Sequence, residues 1–226
     1  MGKQKIIMNT YRKWLIIVGV VVVLATVGWL YMLYSQAQAE AIDEQAGVVG
    51  ALVNSQVPKF VTAGDFTNTD PKHTAQVFLP LWNAVQSPEY VRMKVWTPDY
   101  TVIWSNLPEL IGQKFAPFSE LPEAAASKEP EGDLESQKAE NVGERQYDVL
   151  LETYVPFVDA NGNVPGFIEL YEVPTAVNAL IMTDFDKQLP LPIAIAIIVY
   201  ALFAYGLHLF LKKKAVAVPP ASTPVA

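Results

Sequence analysis

The sequence contains no cysteine and only two histidines, His73 and His208. Without thiols there is no disulfide framework, no thiolate nucleophile and no cysteine metal site. Neither histidine has a His or Cys partner at ligand spacing, so no metal set is offered. A glycine-rich phosphate loop, a Ser-His-Asp order and a metalloprotease signature are also missing. These absences argue against an enzyme, and nothing calls for a cofactor. Acidic residues are absent from both ends: the first 13 residues carry Lys3, Lys5, Arg12 and Lys13, and the last 15 carry Lys212, Lys213 and Lys214.

What is present is apolar. Residues 14–34, WLIIVGVVVVLATVGWLYMLY, run without a charge, as do residues 189–211, LPLPIAIAIIVYALFAYGLHLFL. A bilayer core needs about 20 apolar helical residues, so both runs are long enough to span. Trp14, Trp29, Tyr31 and Tyr34 stand near the ends of the first, as an interfacial belt would. All 23 acids lie between the runs, against nine Lys or Arg there, a net of −14. Cytoplasmic flanks are rich in Lys and Arg, so both termini are expected inside and the middle outside. The same negative charge argues against nucleic-acid binding. Expected boundaries are a basic tail (1–13), a first span (14–34), an extracytoplasmic domain (35–188), a second span (189–211) and a short cytoplasmic tail (212–226). Ala37-Gln38-Ala39 resembles a signal-peptidase site. Signal peptides, however, have apolar regions of about 7–15 residues, and this run is longer and ends in aromatics, which favours a retained span.

Between the spans the periodicity changes along the chain. Residues 35–61 show no turn signal before Pro58, and Ile42, Ala46, Val49, Val53 and Phe60 recur at helical spacing. The first helix is therefore expected to continue outward as an amphipathic rod. Residues 72–86 read as a second helix, bent at Pro80. YVRMKVW (90–96) alternates as a strand, TPDY is turn chemistry, and TVIWS (101–105) is the return strand. Residues 119–127 read as a short helix capped by Ser119. The stretch 128–146 is a polar loop with room for one irregular strand. Two long strands, 147–157 and 164–173, flank VDANGN, whose Asn-Gly marks a hairpin. From Pro174 a helix leads directly into the second apolar run. The expected class is α+β, an antiparallel sheet of about five strands with a long N-terminal helix.

Several residues invite a chemical reading. Arg92, Lys94 and Trp96 share one face of their strand. On residues alone, the favoured account is that Arg92 and Lys94 pair with neighbouring acids on an exposed sheet. A Glu-x-Tyr pattern occurs twice, as Glu152/Tyr154 and Glu169/Tyr171. If the hairpin register sums to 323, Glu152 faces Tyr171 and Tyr154 faces Glu169, two cross-strand pairs on one face. The acids Glu129, Glu131, Asp133, Glu135 and Glu140 fit no calcium loop and read as a solvated segment. DANGN lacks the distal glutamate of a calcium loop and reads as a turn. Ala194, Ala201, Ala204 and His208 form a small-residue stripe suited to packing on the first span or on a second protomer.

RMKVWTPDYTVIWSNLPELIGQKF, SELPEAAAS and ENVGERQYDVLLETYVPFVDANGNVPGFIELYE together resemble an extracytoplasmic PAS-like domain. The family is the PDC or Cache sensor domains of bacterial sensor histidine kinases and related receptors, and the similarity covers roughly residues 41–187. It implies a bacterial inner-membrane protein whose ligand lies on the sheet face opposite the N-terminal helix. Arg92 and Lys94, with Trp96, Tyr154 and Tyr171, would then hold a small anionic ligand, since a guanidinium can grip a carboxylate bidentately. Family members form parallel dimers and continue into transmitter modules; here only AVAVPPASTPVA follows the last lysines, a low-complexity tail. The expectation is a sensor that works through another membrane receptor or complex. Two alternatives stand beside it: an assembly element of an envelope complex that has lost its ligand, and the sensory fragment of a split histidine kinase.

Overall fold

The computed structural model describes residues 2–135 and 143–216. The chain forms two compact units, one of Gln38–Ile181 and one made of its two ends, Met1–Ala37 with Met182–Ala226.

Helix α1 (Gly2–Gln56) runs unbroken, and its outer part buries Ala41, Gln45, Ala46, Val49 and Val53 at three- and four-residue intervals, as the sequence pattern requires. Helix α2 (Pro71–Val85) starts where Asp70 accepts a hydrogen bond from the Lys72 backbone and Pro71 needs no donor partner. Pro80 lies inside it. Then come β1 (Tyr90–Trp96), β2 (Val102–Ser105), α3 (Glu120–Ser127), β3 (Glu131–Glu135), β4 (Leu150–Phe157), β5 (Gly166–Glu172) and α4 (Thr175–Gln188).

The five strands make one antiparallel sheet in the order β2-β1-β5-β4-β3. Asp159 ties the β4–β5 turn, its Oδ1 accepting from the backbone N–H of Asn161 and of Asn163, each at 2.8 Å, while Gly162 takes a φ of +81°. Pro156 sits in β4 beyond the end of its pairing with β3, where its missing N–H breaks no second ladder.

Two local expectations change. Ser119 precedes α3, but its hydroxyl donates to the Glu120 carboxylate at 3.2 Å rather than capping the helix backbone. The acidic stretch forms a regular edge strand, β3, opposite Tyr154 to Leu150; Glu140 lies outside the described residues. Gly132 in β3 permits this. A Cβ there would stand 2.8 Å from Ile42 Cγ2 and 3.1 Å from Ala46 Cβ, so α1 can lie close only over glycine.

One face of the sheet is apolar. Met93, Val95, Val155, Ile168 and Leu170 pack against Val49 and Val53 of α1 and Phe78 and Leu81 of α2. Phe66 fills the end of this layer, its ring centroid 5.8 Å from Phe78 and 5.0 Å from Phe157. Polar groups also occur there: Gln45 donates to both carboxylate oxygens of Glu172 at 3.0 and 2.9 Å.

In the other unit, α5 (Pro190–Val216) lies along α1, with a crevice of about 320 Å³ lined by Gly19, Val22, Val23, Ala196, Ile197 and Tyr200. The expected stripe does not make this contact: Ala194 and Ala201 are exposed and Ala204 is only half-buried. Pro192, Ala196 and Tyr200 face α1 instead, four residues apart, with the Tyr200 ring over Gly19. Two positions along a helix are about 200° around it, so Ala194 points away from a face set by Ala196. By length and composition, both α1 and the helical segment ending in α5 are apolar enough to cross a membrane.

Candidate functional site: a buried polar face of the sheet

Strand alternation sends Arg92, Lys94 and Trp96 of β1, Phe167, Glu169 and Tyr171 of β5, and Glu152 and Tyr154 of β4 to the face opposite α1 and α2. Register then fixes neighbours. Lys94 and Tyr154 flank Glu169 from the two sides, and Arg92 and Glu152 flank Tyr171. The hairpin register is the one that sums to 323, so both Glu/Tyr cross-strand pairs form.

This face is not exposed. Lys94, Trp96, Glu152, Tyr154, Glu169 and Tyr171 all have 0% accessible surface. The expectation of ion pairs on an open sheet is therefore half right: the pairs form, but inside the protein. The reason is the chain between β2 and β3. Leu110, Phe115, Phe118, Leu121 and Ala124 fold over Trp96, Tyr154 and Phe167. Phe115 and Phe118 each meet the Trp96 ring edge-on at 5.6 Å, and Phe118 lies 5.7 Å from Tyr154. Such aromatic pairs add to the area they bury and hold the cover in one orientation.

The polar contacts converge on Glu169. Trp96 Nε1 donates to its Oε2 at 2.7 Å, and Lys94 Nζ stands 3.6 Å from the same oxygen. Lys94 Nζ also donates to the Tyr171 hydroxyl, and it lies 4.4 Å from the Tyr171 ring centroid and 5.5 Å from that of Trp96. An ammonium so placed gains from both ring faces. Tyr154 donates to Glu152 Oε2 at 3.0 Å. Burial, then the carboxylates of Glu169 and Glu152, push the Tyr171 phenol well above its ordinary pKa, so it remains a neutral hydrogen-bonding group. Arg92 Nε donates to Glu144 Oε1, whose side chain is fully buried.

All five candidate residues from the sequence thus reach one face. Arg92 and Lys94 are both engaged by carboxylates of the chain itself. Glu144 was not legible, because it lies in a polar stretch with no periodicity to show which of its acids turns inward. Two carboxylate oxygens on this face, Glu169 Oε1 and Glu144 Oε2, are buried without a hydrogen-bond partner. Buried polar atoms are seldom left so, and a carboxylate oxygen is among the costlier cases.

His73 belongs elsewhere. Its Nε2 is 2.7 Å from Asp65 Oδ1, while Asp65 Oδ2 accepts from the backbone and hydroxyl of Thr62. Partial burial pushes the Asp65 carboxyl up, but the hydrogen bonds from Thr62 and His73 outweigh it and hold the pKa low. This is a loop clasp. Among the described residues no group of three or more His, Asp or Glu side chains is placed to hold a metal ion.

No protein-family model matches the sequence, and no curated protein is similar to it. Among solved structures, the chain is similar to an extracellular ligand binding receptor from Desulfohalobium retbaense, at 13% identity over 69% of this chain and 27% of that one, TM-score 0.41. It thus spans about a quarter of that receptor's length. It is also similar to the sensor domain of DcuS from Escherichia coli, at 12% identity over 64% of this chain and 97% of that one, TM-score 0.41. A third similarity is to the sensor domain of the Vibrio cholerae histidine kinase DctB, at 12% identity over 80% of this chain and 61% of that one, TM-score 0.34.

Proposed function

We propose that this chain is a membrane-anchored extracytoplasmic sensory domain that passes its state to partner proteins. The observation that carries the reading is Glu169. A carboxylate with no accessible surface sits at the centre of a sheet face, one oxygen held by Trp96 and the other without a partner. A fold that needed only stability would fill this position with an apolar residue, since buried ionic clusters seldom add stability over a hydrophobic replacement. A polar cluster kept at that cost fits a group reserved for recognition. Membrane anchoring is supported by the exposed apolar surface of the two long helices, including Ile16, Leu24, Ile197 and Leu202, and by the acid-free flanks. Both ends of the sheet domain connect to these helices, through α1 and through α4, which offers two routes for a ligand-dependent shift to reach a partner.

Thermal unfolding of the full chain in detergent micelles tests this against amino acids, dicarboxylates, amines and divalent cations. A ligand at 100 times its dissociation constant adds about 2.7 kcal/mol, a shift of several degrees. A folded chain whose Tm ignores the whole panel would overturn the reading. Orientation is tested by single cysteines at Asn161→Cys and Lys213→Cys, against a background with no native thiol. An impermeant maleimide should label position 161 in intact cells and position 213 only after lysis.

A second reading, an assembly element without ligand, is favoured by one specific observation. The Lys94 ammonium already lies between Tyr171, Trp96 and Glu169, where a ligand group would sit. A flat ligand response, with cross-linking to a membrane partner retained, would select it.

A further inference from the structure

We infer that the buried sheet face takes a small organic cation, an alkylammonium or short diamine, and not the anion that its arginine and lysine suggest at first sight. The inference rests on the sensory reading above and names the ligand class of that same site.

The basic side chains on this face are engaged: Arg92 donates to Glu144, and Lys94 to Tyr171 beside Glu169. The indole of Trp96 donates to Glu169, and the phenol of Tyr154 to Glu152. Among the described residues of this face, the buried side-chain atoms without a partner are acceptors, Glu169 Oε1 and Glu144 Oε2, both on side chains with no accessible surface. Formal charge points the same way. Among the described residues, Arg92 and Lys94 face three buried carboxylates, Glu144, Glu152 and Glu169, with Asp133 of β3 half-buried opposite Glu152. An incoming carboxylate would bring further acceptors to these two oxygens and no donor for them. An ammonium would supply the donors and the charge that are lacking.

The chain also shows how such a group is held. Lys94 places an ammonium against a phenol, a carboxylate and the π-faces of Tyr171 and Trp96, the chemistry that selects alkylammonium ions. Phe115 and Phe118 extend these apolar walls and would cover the methylene portion of a ligand.

The experiment uses the full chain in micelles at pH 7 and two probes, 1,4-diaminobutane and succinate, against sodium chloride of equal ionic strength. Binding is read by Trp fluorescence and by Tm. The expected result is a rise of about 5 °C with saturating diaminobutane and none with succinate. Glu169→Gln should weaken diaminobutane binding about tenfold or more, since it removes a charged acceptor. Glu144→Gln serves as the second variant should Glu169→Gln fail to fold. A succinate shift that Arg92→Gln abolishes would overturn the cation inference and leave the sensory reading standing. Diaminobutane binding that neither glutamine variant changes would place it elsewhere and overturn the inference. A folded chain indifferent to both probes also overturns it, and the wider ligand panel then judges the sensory reading separately.

Discussion

The two faces of the sheet are equally dry and chemically opposite. On the side of α1 and α2, Met93, Val95, Val155, Ile168 and Leu170 meet valines, leucines and phenylalanines. On the other side, one residue along the same strands, lie Lys94, Glu169, Tyr171, Glu152 and Tyr154. Apolar burial stabilises by roughly 25 cal/mol per Å², so the first face contributes directly to stability. The second must recover the cost of desolvating charges through hydrogen bonds and ion pairs, and such clusters do little better than break even. Burial alone does not separate the two faces: one is closed by apolar packing, and the other holds polar groups away from water through their mutual hydrogen bonds.

The largest expected effects come from cutting into either face. Phe78→Ala should destabilise the chain by about 3–5 kcal/mol in urea unfolding, through a lost ring and the cavity it leaves. Lys94→Ala should cost a similar 3–5 kcal/mol, for a different reason, because Glu169 is left as an uncompensated buried charge. The faces part in the double variant. Lys94→Met with Glu169→Leu should recover most of the loss, whereas no second substitution refills the Phe78 cavity so simply. A double variant as unstable as Lys94→Ala would break the comparison.

A middle-sized effect concerns Gln45 and Glu172, where the apolar face admits one charge. Burial, opposed by the Gln45 hydrogen bonds and assisted by nearby Glu89, raises the Glu172 carboxyl above its ordinary 4.5. Tyr90, its neighbour across the strand pair, is itself pushed up to about 12, by burial first and then by Glu172 and Glu89. A raised folded pKa means the native state holds the proton longer than the unfolded one. The stability Glu172 contributes is therefore full below pH 4.5 and is lost as pH rises through the folded value. Glu172→Gln should flatten that slope. Gln45→Ala should cost about 1–3 kcal/mol near neutral pH and carry the slope to higher pH. Equal slopes in the wild type and Glu172→Gln would sink the assignment.

The smallest effect has the opposite sign. Thr153 lies on the apolar face with its hydroxyl buried and without a partner. Thr153→Val should raise stability by about 1 kcal/mol in the same urea measurement, because a group that cannot bond is replaced by a methyl of similar shape. No gain would mean that the hydroxyl is satisfied in solution.

Much of the fold was legible because its signals are local. β1 follows from the alternation in YVRMKVW, the β4–β5 turn from Asn-Gly, and α4 is the helix expected from Pro174 into the second apolar run. The two Glu-x-Tyr patterns offered a register that would pair both, but a one-residue slip was equally open to the sequence, and the strand ladder decided it. β3 was legible only as room for an irregular strand: GDLE has too few apolar residues to alternate, and it is a regular strand because β4 offers it a ladder and Gly132 lets α1 approach. The alanine stripe of α5 does not face the first span, for a related reason. Small residues permit close approach but do not choose it; Tyr200 over Gly19 does.

The sequence by itself determined the order of elements, the two apolar runs, the charge asymmetry about them and the residues that share the polar face. These depend on spacing along the chain, which periodicity and composition report. Only the tertiary structure decided that this face is sealed, that Glu144 comes to Arg92 across the fold, and that Glu169 Oε1 and Glu144 Oε2 are buried without a partner. Burial and satisfaction are properties of what packs on top. The cover, contributed by Phe115, Phe118 and α3, comes from a different stretch of chain than the strands it closes.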